Sequence, residues 1–263
     1  MTRRCVLVFA GSDPSGGAGL QADLQAIAAQ GAHALTVVTA VTVQDNDRVF
    51  SVNAVAAELV TRQAQALIDK IDVAAVKIGI PGSLPNAEAI AAIVAHLHHR
   101  NPGLPVVLDT VLASGKGDAL SSGDPIDGVR SLLPHATLVM PNLPEAARLC
   151  PGQSEIDVQA QALLRACPNV LIKGGHGGGD EVVNTWFARD VRHSWRWPRL
   201  AGQFHGTGCT LASAVAGLLA QGLPMRAALE AAQSYVHQTL VAAYAIAPGQ
   251  RIPQRSPTSR EIQ

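Results

Sequence analysis

The feature that most constrains this chain is a repeated alternation along its length. Short, nearly continuous apolar runs occupy residues 5–10, 35–41, 76–78, 106–108, 138–140 and 170–172, and Ala- and Leu-rich stretches at 22–29, 56–69, 86–98, 127–133 and 158–166 separate them. Apolar runs without polar alternation read as parallel strands covered on both faces. A strand–helix succession of this kind winds into a sheet with helices on each side. The expected fold class is therefore α/β: three layers, α/β/α, around a mostly parallel central sheet. Residues 49–55 add a short strand on a small flap. Residues 181–197, where Trp186, Trp195 and Trp197 alternate with polar residues, predict an antiparallel hairpin at the sheet edge. Helices over 210–221 and 225–245 close the pattern. Residues 1–247 are expected as one domain, and 248–263, with Pro, Arg, Gln and Ser, as a loose tail.

Composition excludes several function classes. Acids and bases balance at 20 each, so no global field points to nucleic acid or an anionic membrane surface. No apolar run approaches the roughly 18 residues that suggest a bilayer span. The run after Met1-Thr-Arg-Arg reads as a buried first strand, since Gly11-Ser-Asp-Pro-Ser15 is no small-x-small cleavage site. Cys5, Cys150, Cys167 and Cys209 are scattered without a C-x-x-C pair, which favours reduced thiols and a cytoplasmic location over a zinc site. His96, His98 and His99 sit at a predicted helix end, where they suit the dipole rather than a metal.

In an open parallel sheet ligands bind beyond the carboxyl ends of the strands, and the unusual residues gather there. Strand one runs into Gly11-Ser-Asp-Pro-Ser-Gly-Gly-Ala-Gly19, strand two into Gln44-Asp45, and strand three ends at Lys77-Ile-Gly79. Asp109 follows strand four, Pro141-Asn-Leu-Pro-Glu145 strand five and Lys173-Gly-Gly-His176 strand six. The sharpest segment is Phe204-His-Gly-Thr-Gly-Cys209, followed by an Ala-rich helix. Glycines around Thr207 let several N–H groups converge at a helix N-terminus, a site for an anion such as a transferring phosphoryl group. The same segment also fits a plain Gly-capped helix start with a buried cysteine. Cys209 sits where the dipole is expected to lower a thiol pKa. Gly17-Ala-Gly19-Leu-Gln-Ala22 matches the dinucleotide fingerprint, but it lies too far beyond the first strand, with Pro14 between, and no G-x-x-x-x-G-K-[ST] occurs.

The run Ala10–Asp23, with Lys77-Ile-Gly79, Pro141–Glu145, Lys173–His176 and His205-Gly-Thr-Gly-Cys-Thr210, resembles the hydroxymethylpyrimidine/phosphomethylpyrimidine kinases of thiamine biosynthesis. The resemblance spans residues 6–244 in order and implies a ribokinase-like fold. It implies ATP-dependent phosphorylation of 4-amino-5-hydroxymethyl-2-methylpyrimidine and then of its monophosphate, with ATP and Mg²⁺ as cofactors and a homodimer as the assembly. By position it implies Cys209 as catalytic base and Gly206, Thr207 and Gly208 as the anion hole. Gln44 would pair with the pyrimidine, Asp23 would stand near the substrate alcohol, and Gly11 and Ile80 would line the same pocket. Asn142 and Glu145 would organise Mg²⁺ through water, and Lys173 and Asp109 would face the phosphate path. Asn142 and Glu145 would equally serve as a helix cap, and Lys173 as a solvated charge. Ile80 stands where the family commonly has Met, Lys116 is displaced by one place from the family's lysine, and Pro248–Gln254 departs from its C-terminal motif. A pyridoxal or pyridoxine kinase on the same scaffold, and a catalytically silent ligand-binding protein, are the alternative readings.

Overall fold

The computed structural model describes residues 2–256 apart from 115, 119 and 122. In chain order the elements are β1 (Cys5–Ser12), α1 (Gly19–Ala29), β2 (His33–Gln44), β3 (Val49–Ala54), α2 (Ala57–Ile68), β4 (Val73–Ile78), α3 (Leu84–Arg100), β5 (Val106–Leu108) and α4 (Pro125–Leu132). There follow β6 (Leu138–Val139), α5 (Leu143–Leu149), α6 (Ile156–Leu163), β7 (Asn169–Ile172), β8 (Glu181–Ala188), β9 (Val191–Pro198), α7 (Thr207–Ala220) and α8 (Met225–Val241). The strands form one sheet in the order β3-β2-β1-β4-β5-β6-β7-β8-β9. Pairings from β2 through β7 are parallel, whereas β3 and the β8–β9 hairpin join antiparallel at the two edges.

The unbroken apolar runs have a direct cause. Along β1, Leu7 and Phe9 enter one core while Val6, Val8 and Ala10 enter the other. Successive side chains point to opposite faces, so a strand buried on both sides must be apolar at every position. The first core takes α2, α3, α4, α5 and α6; the second takes α1, α7 and α8. Small residues close the second interface: the α7 residues Ala212, Ala214 and Ala216 are fully buried. β2 and β4 flank β1 on opposite sides, which opens a crevice at the carboxyl end of β1 where the chain switches direction.

The expected loose tail from Pro248 is corrected over its described part. Ile252 and Arg255 are buried, each 2% exposed, and Gln250 is buried as well. Arg251 donates its N–H to Gln203 O, Ile252 to Tyr244 O, and Gln254 to Thr239 O. The polar composition misled because these backbone bonds and the apolar Ile252 dock the segment. Residues 257–263 of that expectation lie outside the described residues.

Candidate active site

A cavity of about 600 Å³ opens at the carboxyl edge of the sheet, a volume suited to a small-molecule ligand. Gly11, Gln44, Ile80, Asp109, Asn142, Glu145, Lys173, Gly206, Thr207, Gly208 and Cys209 all line it. The residues singled out from strand ends and turns thus meet in one place. The loop after β1 is compact for a specific reason: Gly19 has φ +55°, and a Cβ there would lie 2.4 Å from Gly11 O. At Gly11 itself a Cβ would approach Ile80 Cδ1 to 2.7 Å, so the missing side chain leaves room for the Ile80 wall.

Gly206 precedes α7 with φ +75°, and a Cβ there would lie 2.0 Å from Gly17 O. Only glycine fits that conformation and that close approach of two backbones. The first turn of α7 then follows at once, where leading N–H groups have no partner within the helix. A Cβ on Gly208 would stand 3.4 Å from Lys173 Nζ and 3.5 Å from Asp109 Oδ2. An ammonium and a helix N-terminus therefore face the same small volume.

Lys173 Nζ donates to Asp109 Oδ1 at 2.6 Å. Although burial alone would lower the Lys173 pKa, Asp109 and Glu145 outweigh it and raise it. The other oxygen, Asp109 Oδ2, is buried without a hydrogen-bond partner among the described residues. Asn142 and Glu145 form a reciprocal capping box on α5: Glu145 N donates to Asn142 Oδ1 at 2.9 Å, and Asn142 N donates to Glu145 Oε2 at 2.8 Å. The capping alternative is thus realised, and the same two side chains also reach the cavity. Burial pushes the Glu145 carboxyl up, against the pull of Lys173.

Two expectations are corrected. Asp23 does not line the cavity. It is fully buried and accepts two hydrogen bonds from Lys77 Nζ, at 2.8 and 2.9 Å, and one from Ser213 Oγ at 2.6 Å. Its position on the inner face of α1, opposite a lysine in β4, commits it to that cation. The Cys209 thiol is not lowered by the helix dipole. Burial pushes it up to about 11, with Lys77 opposing and Asp109 and Asp23 adding to the rise. Desolvation beside two carboxylates outweighs a partial charge at a helix end.

Three participants were given no role at the level of sequence. Lys77 sits fully buried at the cavity floor. Although burial alone would lower its pKa, Asp23, Cys209 and Asp109 raise it and keep it charged. A lysine inside an apolar strand demands a buried partner, a signal present in the residues but not followed to Asp23. His205 Nε2 meets Asp13 Oδ2 at 2.9 Å. Burial raises the Asp13 carboxyl, but bonds from His205 and Ser15 hold it below its usual value. Arg255, in the supposed tail, binds the two glycine-rich loops from behind. Lys116, left without a role, lines the cavity mouth and pairs with Asp47 at 2.6 Å. Among the described residues no cluster of three or more His, Cys, Asp or Glu could hold a metal.

Comparison with known proteins agrees with this geometry. A family profile described as phosphomethylpyrimidine kinase matches residues 13–254. The hydroxymethylpyrimidine/phosphomethylpyrimidine kinase of Rhizobium meliloti (strain 1021) is 40% identical over 252 residues, covering 93% of each chain. The crystal structure of phosphomethylpyrimidine kinase from Clostridium difficile 630 superposes with TM-score 0.75 at 29% identity, covering 90% of this chain and 100% of that one. The pyridoxal kinase from Staphylococcus aureus in complex with AMP-PCP and pyridoxal shares the fold, with TM-score 0.86 at 23% identity over 99% of this chain and 96% of that one. The fold is the ribokinase-like one expected, and the chain belongs to the phosphomethylpyrimidine kinase family.

Proposed function

We propose that this kinase transfers the γ-phosphoryl group of ATP to the hydroxymethyl oxygen of 4-amino-5-hydroxymethyl-2-methylpyrimidine, and then a second one to the resulting monophosphate. In each step the acceptor oxygen bonds to the γ-phosphorus, the bond to the β–γ bridging oxygen breaks, and ADP leaves. The observation that carries this reading is the meeting of Lys173, Asp109 and the α7 N-terminus around Gly208. Phosphoryl transfer requires chiefly positioning and stabilisation of charge on the equatorial oxygens, and N–H groups of Gly206, Thr207 and Gly208 with the Lys173 ammonium supply both.

Gln44 offers one donor and one acceptor to the aminopyrimidine edge, with Ile80 and the Gly11 backbone forming apolar and tight walls. Cys209 acts as base only from its minor thiolate form, which Lys77 stabilises; that thiolate takes the hydroxyl proton late in the transfer and becomes the thiol. Asp23 acts through Lys77. A hard cation takes oxygen donors and keeps several waters, and the Glu145 carboxylate, the Asn142 amide and the unpartnered Asp109 oxygen fit Mg²⁺ held partly through water. When bound, such an ion would neutralise phosphate charge. We also infer a single kinase domain that works as a cytoplasmic homodimer. No helix among the described residues is long and apolar enough to cross a membrane.

The test is steady-state phosphorylation of a panel: hydroxymethylpyrimidine, its monophosphate, pyridoxal and ribose. Both pyrimidine acceptors should give the highest kcat/KM. A preference for pyridoxal would move the substrate assignment to the ring-alcohol alternative, and ATP turnover on none of the four would refute the kinase reading.

A further inference from the structure

Arg255 presents an unusual arrangement. It is 2% exposed, and among the described residues no carboxylate lies within ion-pair distance of it. Its guanidinium is instead spent on the backs of two loops. Nε donates to Thr210 Oγ1 at 2.8 Å, Nη1 to Gly16 O at 3.3 Å, and Nη2 to Gly17 O and to His205 O, the latter at 3.5 Å. Thr210 Oγ1 in turn donates to Gly206 O at 2.8 Å. The segment carrying Arg255 is itself anchored, because Tyr235 OH donates to Arg255 O at 2.9 Å.

A buried cation without a counter-ion is costly unless every donor is matched. Here the matching acceptors belong to the loop after β1 and the turn before α7. These are the two strands of backbone that touch at Gly17 and Gly206. A planar fork of donors fixes several carbonyls at once, which a lysine cannot reproduce. Carbonyls drawn toward the guanidinium leave the N–H groups of the turn free to face the cavity. Burial lowers the Arg255 pKa, and a charged Cys209 nearby would oppose that shift.

We propose that Arg255 is a positioning residue for phosphoryl transfer: it clamps the glycine-rich loop to the turn before α7 and so sets the geometry of the phosphate nest, without touching substrate. The inference rests on reading Gly206, Thr207 and Gly208 as that nest. It extends the kinase machinery to a C-terminal strap that carries no motif of its own.

The experiment compares Arg255→Lys, Arg255→Gln, Arg255→Ala and Gly208→Ala in kcat, KM for both substrates, ATP dissociation constant and melting temperature. Arg255→Lys keeps the charge and protects the comparison should the neutral variants fold poorly. Small misplacements of a reacting group cost on the order of 10²-fold in rate. Arg255→Lys and Arg255→Gln should therefore lose on the order of 10²-fold in kcat, with KM and ATP affinity changed by less than about threefold. Added guanidinium ion should restore part of the Arg255→Ala rate. Wild-type kcat in Arg255→Lys would overturn the clamp. So would parallel loss of ATP affinity and melting temperature without guanidinium rescue, which marks a merely structural role. Gly208→Ala separates the two layers: impaired Gly208→Ala with normal Arg255 variants overturns the clamp alone, whereas an unimpaired Gly208→Ala overturns the nest and the clamp together.

Discussion

Raising the pH in the presence of iodoacetamide should sort the thiols by burial and by charge. Cys209 is only half-buried, open to the cavity. Accessibility alone would make it reactive. Its ionisation says otherwise: burial lifts the thiol from 9.0 to about 11, with Lys77 pulling down and two carboxylates pushing up. Only the thiolate attacks the reagent. Near neutrality Cys209 should then carry about a hundredfold less thiolate than an unperturbed thiol, and its alkylation should slow in proportion. Its rate should rise about tenfold per pH step and level off only as pH passes about 11. Quantitative mass mapping of alkylated peptides across a pH series measures this directly. Cys5, half-buried at the start of β1, should label ahead of Cys209 near neutrality, while Cys167, pushed up to about 11 by burial, trails. Bound ATP adds negative charge to the cavity and should suppress Cys209 labelling further. Labelling of Cys209 first, with an inflection below about pH 8, would refute the reasoning and restore a thiolate lowered by the helix dipole.

Asp23→Asn would leave the fully buried Lys77 without its counter-ion; breaking such a pair costs about 3–5 kcal/mol. Urea unfolding should report that loss, with most of it recovered in Asp23→Asn/Lys77→Met; a loss below about 1 kcal/mol would show the pair to be solvated. Gln44→Leu should raise KM for the aminopyrimidine by about tenfold or more, since each unpaired polar group costs roughly 1–3 kcal/mol. A KM within twofold of the parent would remove Gln44 from the ring site. Glu145→Gln should lower turnover at limiting Mg²⁺ more than at saturating Mg²⁺, which a metal titration of initial rates measures. Equal loss at every concentration would leave Glu145 with its capping role alone.

Legibility in the sequence followed burial. Strands covered on both faces announce themselves, so β5 was readable to the residue at Val106–Leu108, and β1 only ran on two residues past the apolar run, to Ser12. The β8–β9 hairpin was legible from its alternation of Trp with polar residues. Glycines carried the site: at Gly206 a side chain would run into the Gly17 backbone, and at Gly11 it would press on the tip of Ile80. What failed were judgements that needed a third dimension. The pairing of Asp23 with Lys77 joins residues 54 positions apart, and Arg255 meets Gly16 from 239 positions away. Local composition shows that Lys77 needs a buried partner but not which residue meets it, and it contains no trace of what Arg255 binds. The Cys209 thiol was misjudged for a related reason: position at a helix start is local, whereas desolvation and nearby carboxylates are properties of the assembled cleft.

The charges on the cleft floor also explain why a metal belongs to the proposed reaction. In the resting protein Lys173 is held by Asp109 at 2.6 Å with little solvent exposure on either side chain. A phosphate arriving at Gly208 would meet the ammonium, but it would meet Asp109 Oδ2 at nearly the same distance from that backbone. A carboxylate facing a phosphate in a poorly solvated site is strongly repulsive. Lys173 cannot fully satisfy both, since one ammonium would be shared between two anions. A hard divalent cation held by carboxylate oxygens here would offset that repulsion. The buried Asp109 oxygen that lacks a protein partner among the described residues is where such an ion would find its donor, and Glu145, raised by its own burial, would ionise more readily once the ion is present. The resting Lys173–Asp109 pair offsets its own charge, and a nucleotide would disturb that balance unless a cation came with it.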